Sequence, residues 1–193
     1  ILDLNFEMLR QAQSDSFSYD GWKELVAREL DGQESVHVGI SAMFNYTLEI
    51  YFEVAEFIDK NYPDVPLIVG GVQSTYEFDR ILNNSACDIV MRKEGELQFG
   101  SFIESAVAQE PVKIPWGAAC KLGNGELYEF DPANEGPVPV DLDIKSSYDL
   151  IEDLQHYNKY GSLGTFSRYT GRDQPFCPVI SRRGCRARCT FCT

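Results

Sequence analysis

The chain reads as an open α/β fold built around a parallel sheet. Through its first two-thirds, short apolar runs alternate with stretches whose apolar residues recur at helical spacing. Three of those runs pass directly into a helical stretch through a turn of small or polar residues. The rhythm then stops after three strand-to-helix units, which favours an open sheet over a closed eight-fold barrel.

In order, Ile1–Leu4 reads as the tail of a strand, and Gly21–Leu30 as a helix with Trp22, Leu25, Val26 and Leu30 on one face. Val36–Ser41 is a buried strand. Thr47–Lys60 is a helix, with Pro63 just past its end. Leu67-Ile68-Val69 forms a short strand running into Gly70-Gly71. Ser74-Thr75-Tyr76-Glu77 has the form of a capping box and is expected to open a helix reaching about Leu82. Asp88–Met91 is the next strand and Glu96–Ala108 the next helix. Beyond Pro111, Ala118–Leu122 and Glu126–Phe130 flank Gly123-Asn124-Gly125, a hairpin signal. The Pro- and Asp-rich stretch Asp131–Asp143 reads as a linker, and Tyr148–Tyr160 as partly helical. A short strand, Pro178-Val179-Ile180-Ser181, then delivers a cluster of cysteines.

The net charge of -13 argues against general nucleic-acid binding, which needs a basic face. No apolar stretch is long enough to span a membrane. The chain opens without Met and closes one residue after a cysteine, so both ends are expected to be cut. The charge is uneven. Arg168, Arg172, Arg182, Arg183, Arg186 and Arg188 crowd the end of the chain with Asp173 as the one acid, as in a solvated basic loop or a loop beside an anionic group.

Of six cysteines, Cys87, Cys120 and Cys177 are scattered, whereas Cys185, Cys189 and Cys192 are bunched. Bunching without secretory features points to metal and a reducing compartment, so the cytoplasm is the expected location. The spacing Cys185-x3-Cys189-x2-Cys192 lets three thiolates converge on one centre. Structural zinc requires four protein ligands, and Cys177 or the more distant His156 would have to supply the fourth. A 4Fe-4S cluster held by three cysteines keeps one iron open.

At this point the sequence resembles the radical S-adenosylmethionine (SAM) superfamily, whose hallmark is C-x3-C-x2-C with an aromatic residue before the last cysteine. Phe191 holds that place, and Ser181-Arg182-Arg183-Gly184-Cys185 matches the family's approach to the motif with one extra arginine. The resemblance implies a 4Fe-4S cluster on Cys185, Cys189 and Cys192, SAM chelating the open iron beside Phe191, and reductive cleavage of SAM to a 5'-deoxyadenosyl radical. It also implies an electron donor such as flavodoxin or ferredoxin. In that family the cysteine loop follows the first strand of a partial (β/α) barrel.

The stretch ahead resembles the Rossmann-like cobalamin-binding domain that precedes many radical SAM domains. The matching residues are Val38-Gly39-Ile40-Ser41-Ala42-Met43, Leu67-Ile68-Val69-Gly70-Gly71, Asp88-Ile89-Val90 leading to Glu94-Gly95-Glu96, and the linker motifs Val140–Asp143 and Tyr148-Asp149-Leu150. Carried over, Ser41, Gly70 and Gly71 line the slot for the cobalamin nucleotide tail, and Gly95 belongs to the third loop of the same edge. Two departures stand out. Lys93 replaces the first glycine of the family's Gly-Glu-Gly-Glu run, and Val72-Gln73-Ser74 stands where a histidine or proline is common. His37 and His156 read as structural rather than as cobalt ligands.

The expected organisation is therefore a cobalamin-binding-like domain over 1–110, a hairpin and linker over 111–175, and the start of a radical SAM domain over 176–193. The implied activity is methylation or cyclisation at an unactivated carbon of a small-molecule or natural-product substrate, with no catalytic residue in this stretch beyond the cluster ligands. The alternatives are a radical SAM enzyme whose front domain no longer binds cobalamin, and a non-catalytic zinc-stapled binding module.

Overall fold

A computed structural model of the 193-residue chain describes residues 1–15, 17–33, 37–93, 95–108 and 117–130, together with Leu150, Ile151, Asp153, His156 and Tyr157. These residues fall into two compact units, one holding 1–33 and the five isolated residues, the other holding 37–130.

The first unit contains helices α1 (Leu4–Gln11) and α2 (Gly21–Leu30), which pack on each other. The strand expected at Ile1–Leu4 is absent, because Asp3 starts a helix instead: its carboxylate accepts a hydrogen bond from the Phe6 N–H at 3.0 Å. Phe6 is buried and stacks on Tyr157 with ring centroids 4.5 Å apart. The Tyr157 hydroxyl donates to the other Asp3 oxygen at 3.0 Å. Asp3 thus serves as a cap and as a side-chain acceptor at once. In α2, Trp22, Leu25 and Val26 form the buried stripe that the spacing predicted.

The second unit is a five-stranded open sheet with strand order β1-β2-β3-β4-β5. Its parallel part consists of β1 (Val38–Ser41), β2 (Leu67–Gly70) and β3 (Ile89–Met91). A 3-10 turn at Asn45–Thr47 and helix α3 (Leu48–Asn61) connect β1 to β2, and α4 (Val72–Tyr76) and α5 (Phe78–Asn84) connect β2 to β3. Helix α6 (Glu96–Val107) follows β3. The predicted hairpin forms β4 (Ala118–Lys121) and β5 (Leu127–Glu129), with Gly125 at φ 86° in its turn. The hairpin joins the sheet, because β4 pairs antiparallel with β3, with Val90 opposite Ala119. The partial barrel expected after it lies outside the described residues.

The core sits on both faces of the sheet. Ile68, Ile89, Met91, Ala118 and Cys120 cluster with Phe102 of α6, and Ile103 packs against the group. The alternate strand residues Leu67, Val69, Val90 and Ala119 point the other way and are buried too, while α4 and α5 pack on β2, β3 and β4. Burial on both faces explains why β2 and β3 read as continuous apolar runs. The buried strand expected at Val36–Ser41 is corrected: β1 is the edge strand, and its residues alternate between half-buried and exposed.

The capping-box reading of Ser74-Thr75-Tyr76-Glu77 is corrected. The N-cap is Gly71, and Ser74 lies inside α4, fully buried. The helix stops at Tyr76, and α5 starts anew at Phe78. Among the described residues, no helix is long and apolar enough to cross a membrane.

Candidate functional site

The carboxyl ends of β1, β2 and β3 lie side by side, and the residues read from sequence as a ligand edge sit there. Ser41 is the last residue of β1 and pairs with Gly70, the last residue of β2. Ser41 is exposed, and its hydroxyl has no hydrogen-bond partner among the described residues. A β-carbon placed on Gly70 would meet nothing within 4 Å, so the backbone beside Ser41 faces open space.

Gly71 plays a different part. Its backbone has φ 96° and ψ 179°, a region only glycine occupies readily. A β-carbon there would lie 2.8 Å from the Ala42 carbonyl oxygen and 3.1 Å from the Ala42 nitrogen. Ala42 cannot retreat, since its N–H donates to the Gly70 carbonyl at 2.8 Å and its own carbonyl accepts from the Gln73 N–H at 2.9 Å. Those bonds stitch the loop after β1 to the loop after β2, and the second satisfies one of the open donors at the start of α4.

The third loop follows β3. Lys93 is exposed and sits at φ 60°, a left-handed conformation that a lysine enters at a cost. It occupies the position at which the family resemblance expects glycine, and the backbone supplies the physical reason for that expectation. Gly95 caps α6 at φ -90° and ψ -6°, where any residue fits, and a β-carbon on it would meet only the Met91 β-carbon at 4.0 Å. No glycine is required at 95 by the backbone.

Two hydroxyls on α4 hold these loops together. Ser74 Oγ lies 2.6 Å from the Gly71 carbonyl and 2.7 Å from the Met91 carbonyl, so its single proton is shared between the two loop starts. Thr75 Oγ1 accepts from the Lys93 N–H at 2.7 Å. Next to them the Arg92 N–H donates to the Gly117 carbonyl at 3.0 Å, its guanidinium lies 4.4 Å from the Phe78 ring centroid, and it pairs with Glu129.

Met43 and Phe44, just beyond Ala42, and Val72, the first residue of α4, are each about half exposed. They leave an exposed apolar lip on the first two loops. Sequence reading missed Ser74 and Thr75 as loop clamps and Phe44 and Val72 as lip. The available signal was the apolar residues continuing past the ends of two strands.

The two histidines belong to different units. His37 directly precedes β1, at the end opposite Ser41, and contacts Phe102 edge-on at 6.0 Å. His156 Nδ1 is 2.6 Å from the Asp153 carboxylate. Cys87 and Cys120 are buried free thiols, and burial pushes Cys87 up to about 12. Among the described residues no group of three His, Cys, Asp or Glu side chains is placed to hold a metal. Cys185, Cys189, Cys192 and Phe191 lie outside the described residues.

No family model matches the chain. It is 28% identical to an uncharacterised methyltransferase of Pyrococcus horikoshii over 163 residues, which is 81% of this chain and 31% of the relative. Among solved structures it resembles the radical SAM methyltransferase TsrM of Kitasatospora setae, determined with tryptophan substrate and the SAM analogue aza-SAM bound. The TM-score is 0.51 at 16% identity, covering 69% of this chain and 28% of TsrM. The chain therefore spans about a third of either protein's length. The likeness to TsrM is one of fold, an open α/β sheet shared with part of a larger enzyme.

Proposed function

We propose that this chain is the front part of a cobalamin-dependent radical SAM enzyme that methylates or cyclises a small-molecule substrate at an unactivated carbon. The observation that carries the reading is the spacing Cys185-x3-Cys189-x2-Cys192 with Phe191 before the last cysteine. The likeness to a methyltransferase sequence and to the TsrM fold supports it. Cys185, Cys189 and Cys192 would hold a 4Fe-4S cluster with one iron left for SAM. The chemistry such a cluster supplies is the electron for reductive cleavage of SAM; that of cobalamin is methyl transfer or redox partnership.

For cobalamin, the fit rests on the edge formed by Ser41 and Gly70. An exposed hydroxyl with no hydrogen-bond partner among the described residues stands beside a glycine whose missing side chain leaves open space, and Met43, Phe44 and Val72 offer exposed apolar surface on the same loops. Gly71 contributes by letting the loop cross close over Ala42, and Gly95 belongs to the third loop. An exposed apolar lip around a polar notch suits a large ligand with a flat apolar body and a polar tail.

Anaerobic reconstitution of the full-length protein tests the reading. About four irons per chain are expected, retained in Cys177→Ala and lost in Cys189→Ala. Zinc bound in their place and released by Cys177→Ala would instead identify a structural zinc staple.

A further inference from the structure

We infer that Thr75 is a positioning residue for the ligand edge, acting through Lys93 to hold the third loop in place. The inference rests on the cobalamin reading above and adds a residue to it. Lys93 at φ 60° is the strained point of the loop between β3 and α6. A lysine stays in that region only when its surroundings hold it there. The hold visible here is the 2.7 Å hydrogen bond from its N–H to Thr75 Oγ1. One such bond is comparable in strength to the preference of a non-glycine residue against the left-handed region, so losing it lets the loop relax.

The location gives the bond its consequence. Thr75 sits on α4, which begins at the Gly70-Gly71 turn, and its neighbour Ser74 bonds toward the carbonyls of both Gly71 and Met91. One short helix therefore sets the second and third loops relative to each other. Ser41 is in turn fixed to the second loop through its pairing with Gly70 and the Ala42 bonds. Displacement of Lys93 moves the path into Gly95 while leaving Ser41 and Gly70 where they are. A glycine at 93 would need no such clamp, so the threonine matters here because the lysine is present.

The test compares wild type, Thr75→Val and Thr75→Ser in the full-length protein, with hydroxocobalamin as the titrated probe. Thr75→Val keeps the side-chain shape and removes the acceptor. It is expected to weaken hydroxocobalamin binding about tenfold, the scale of one hydrogen bond. Thr75→Ser restores the acceptor and is expected to bind within about threefold of wild type. Amide exchange at Lys93 without ligand, expected to accelerate in Thr75→Val alone, reads the bond independently of any cofactor. Wild type that fails to bind hydroxocobalamin overturns the cofactor reading. Wild type that binds, with Thr75→Val binding equally well or Lys93 exchange unchanged, overturns the role of Thr75 alone.

Discussion

Adjacent glycines at the end of β2 are expected to respond in opposite ways to the same substitution. In Gly71→Ala the new β-carbon would sit 2.8 Å from the Ala42 oxygen and 3.0 Å from its carbonyl carbon, well inside ordinary contact. Holding alanine at φ 96°, ψ 179° costs about 1–3 kcal/mol by itself. Relief by moving Ala42 breaks the bond to Gly70 or the one to Gln73, worth roughly 1 kcal/mol each and more if a buried group is left unpaired. The total is about 2–4 kcal/mol, and more where a buried group loses its partner, a large share of a typical domain's stability. Gly70→Ala meets nothing within 4 Å and places alanine in a strand, where it is better than glycine by about 0.5–1 kcal/mol. Urea unfolding should therefore show a large loss at 71 and no loss at 70. Under the cobalamin proposal, retention of the cofactor after gel filtration should show the reverse contrast, with Gly70→Val staying folded and losing it. Wild-type stability in Gly71→Ala would refute the packing argument. Full cobalamin retention in Gly70→Val would make Gly70 a turn residue and nothing more.

Two further outcomes follow from strain and burial. Lys93→Gly should raise stability by about 0.5–1 kcal/mol, the left-handed penalty less the extra chain entropy of glycine, whereas Lys93→Val should lower it; equal urea midpoints would mean that the residue is unstrained. Cys87 should make the protein labile to alkali. Burial, aided by the Asp88 charge, lifts its thiol from 9.0 to about 12, so the unfolded chain gives up this proton first. The contribution is complete below pH 9 and falls by about 1.4 kcal/mol per pH unit between pH 9 and 12. Urea unfolding at pH 8, 9 and 10 should show a steeper decline in wild type than in Cys87→Ala, and parallel declines would sink the argument.

The inner parallel strands were legible because Leu67–Gly70 and Ile89–Met91 are buried on both faces, which turns a strand into an unbroken apolar run. Val38–Ser41 was legible for another reason, since Val38 and Ile40 alternate with the exposed Gly39 and Ser41 on the edge strand. The hairpin was legible for a local reason as well, since Gly125 takes the positive φ its turn requires. What escaped the sequence was set by partners far along the chain. Nothing near Ala118 says that β3 will pair with it, and nothing near Asp3 says that Tyr157 will share its carboxylate. Ser74 looked like a cap because the true start of α4 is satisfied from the loop after β1, by the Ala42 carbonyl.

The candidate edge follows the same division. Ser41, Gly70 and Gly71 could be named from local pattern, since each ends or follows a strand. Their separate roles could not, because a glycine that makes room and a glycine that permits a crossing are identical in sequence. The distinction comes from Ala42, a residue with no reactive group, whose two backbone bonds leave it nowhere to go. Lys93 carries the same lesson in reverse. In sequence it reads as a departure from an expected glycine, and the backbone there has the conformation that favours glycine, held by Thr75. The third loop thus makes a left-handed turn without a glycine, and the Thr75 hydroxyl offsets part of what that conformation costs.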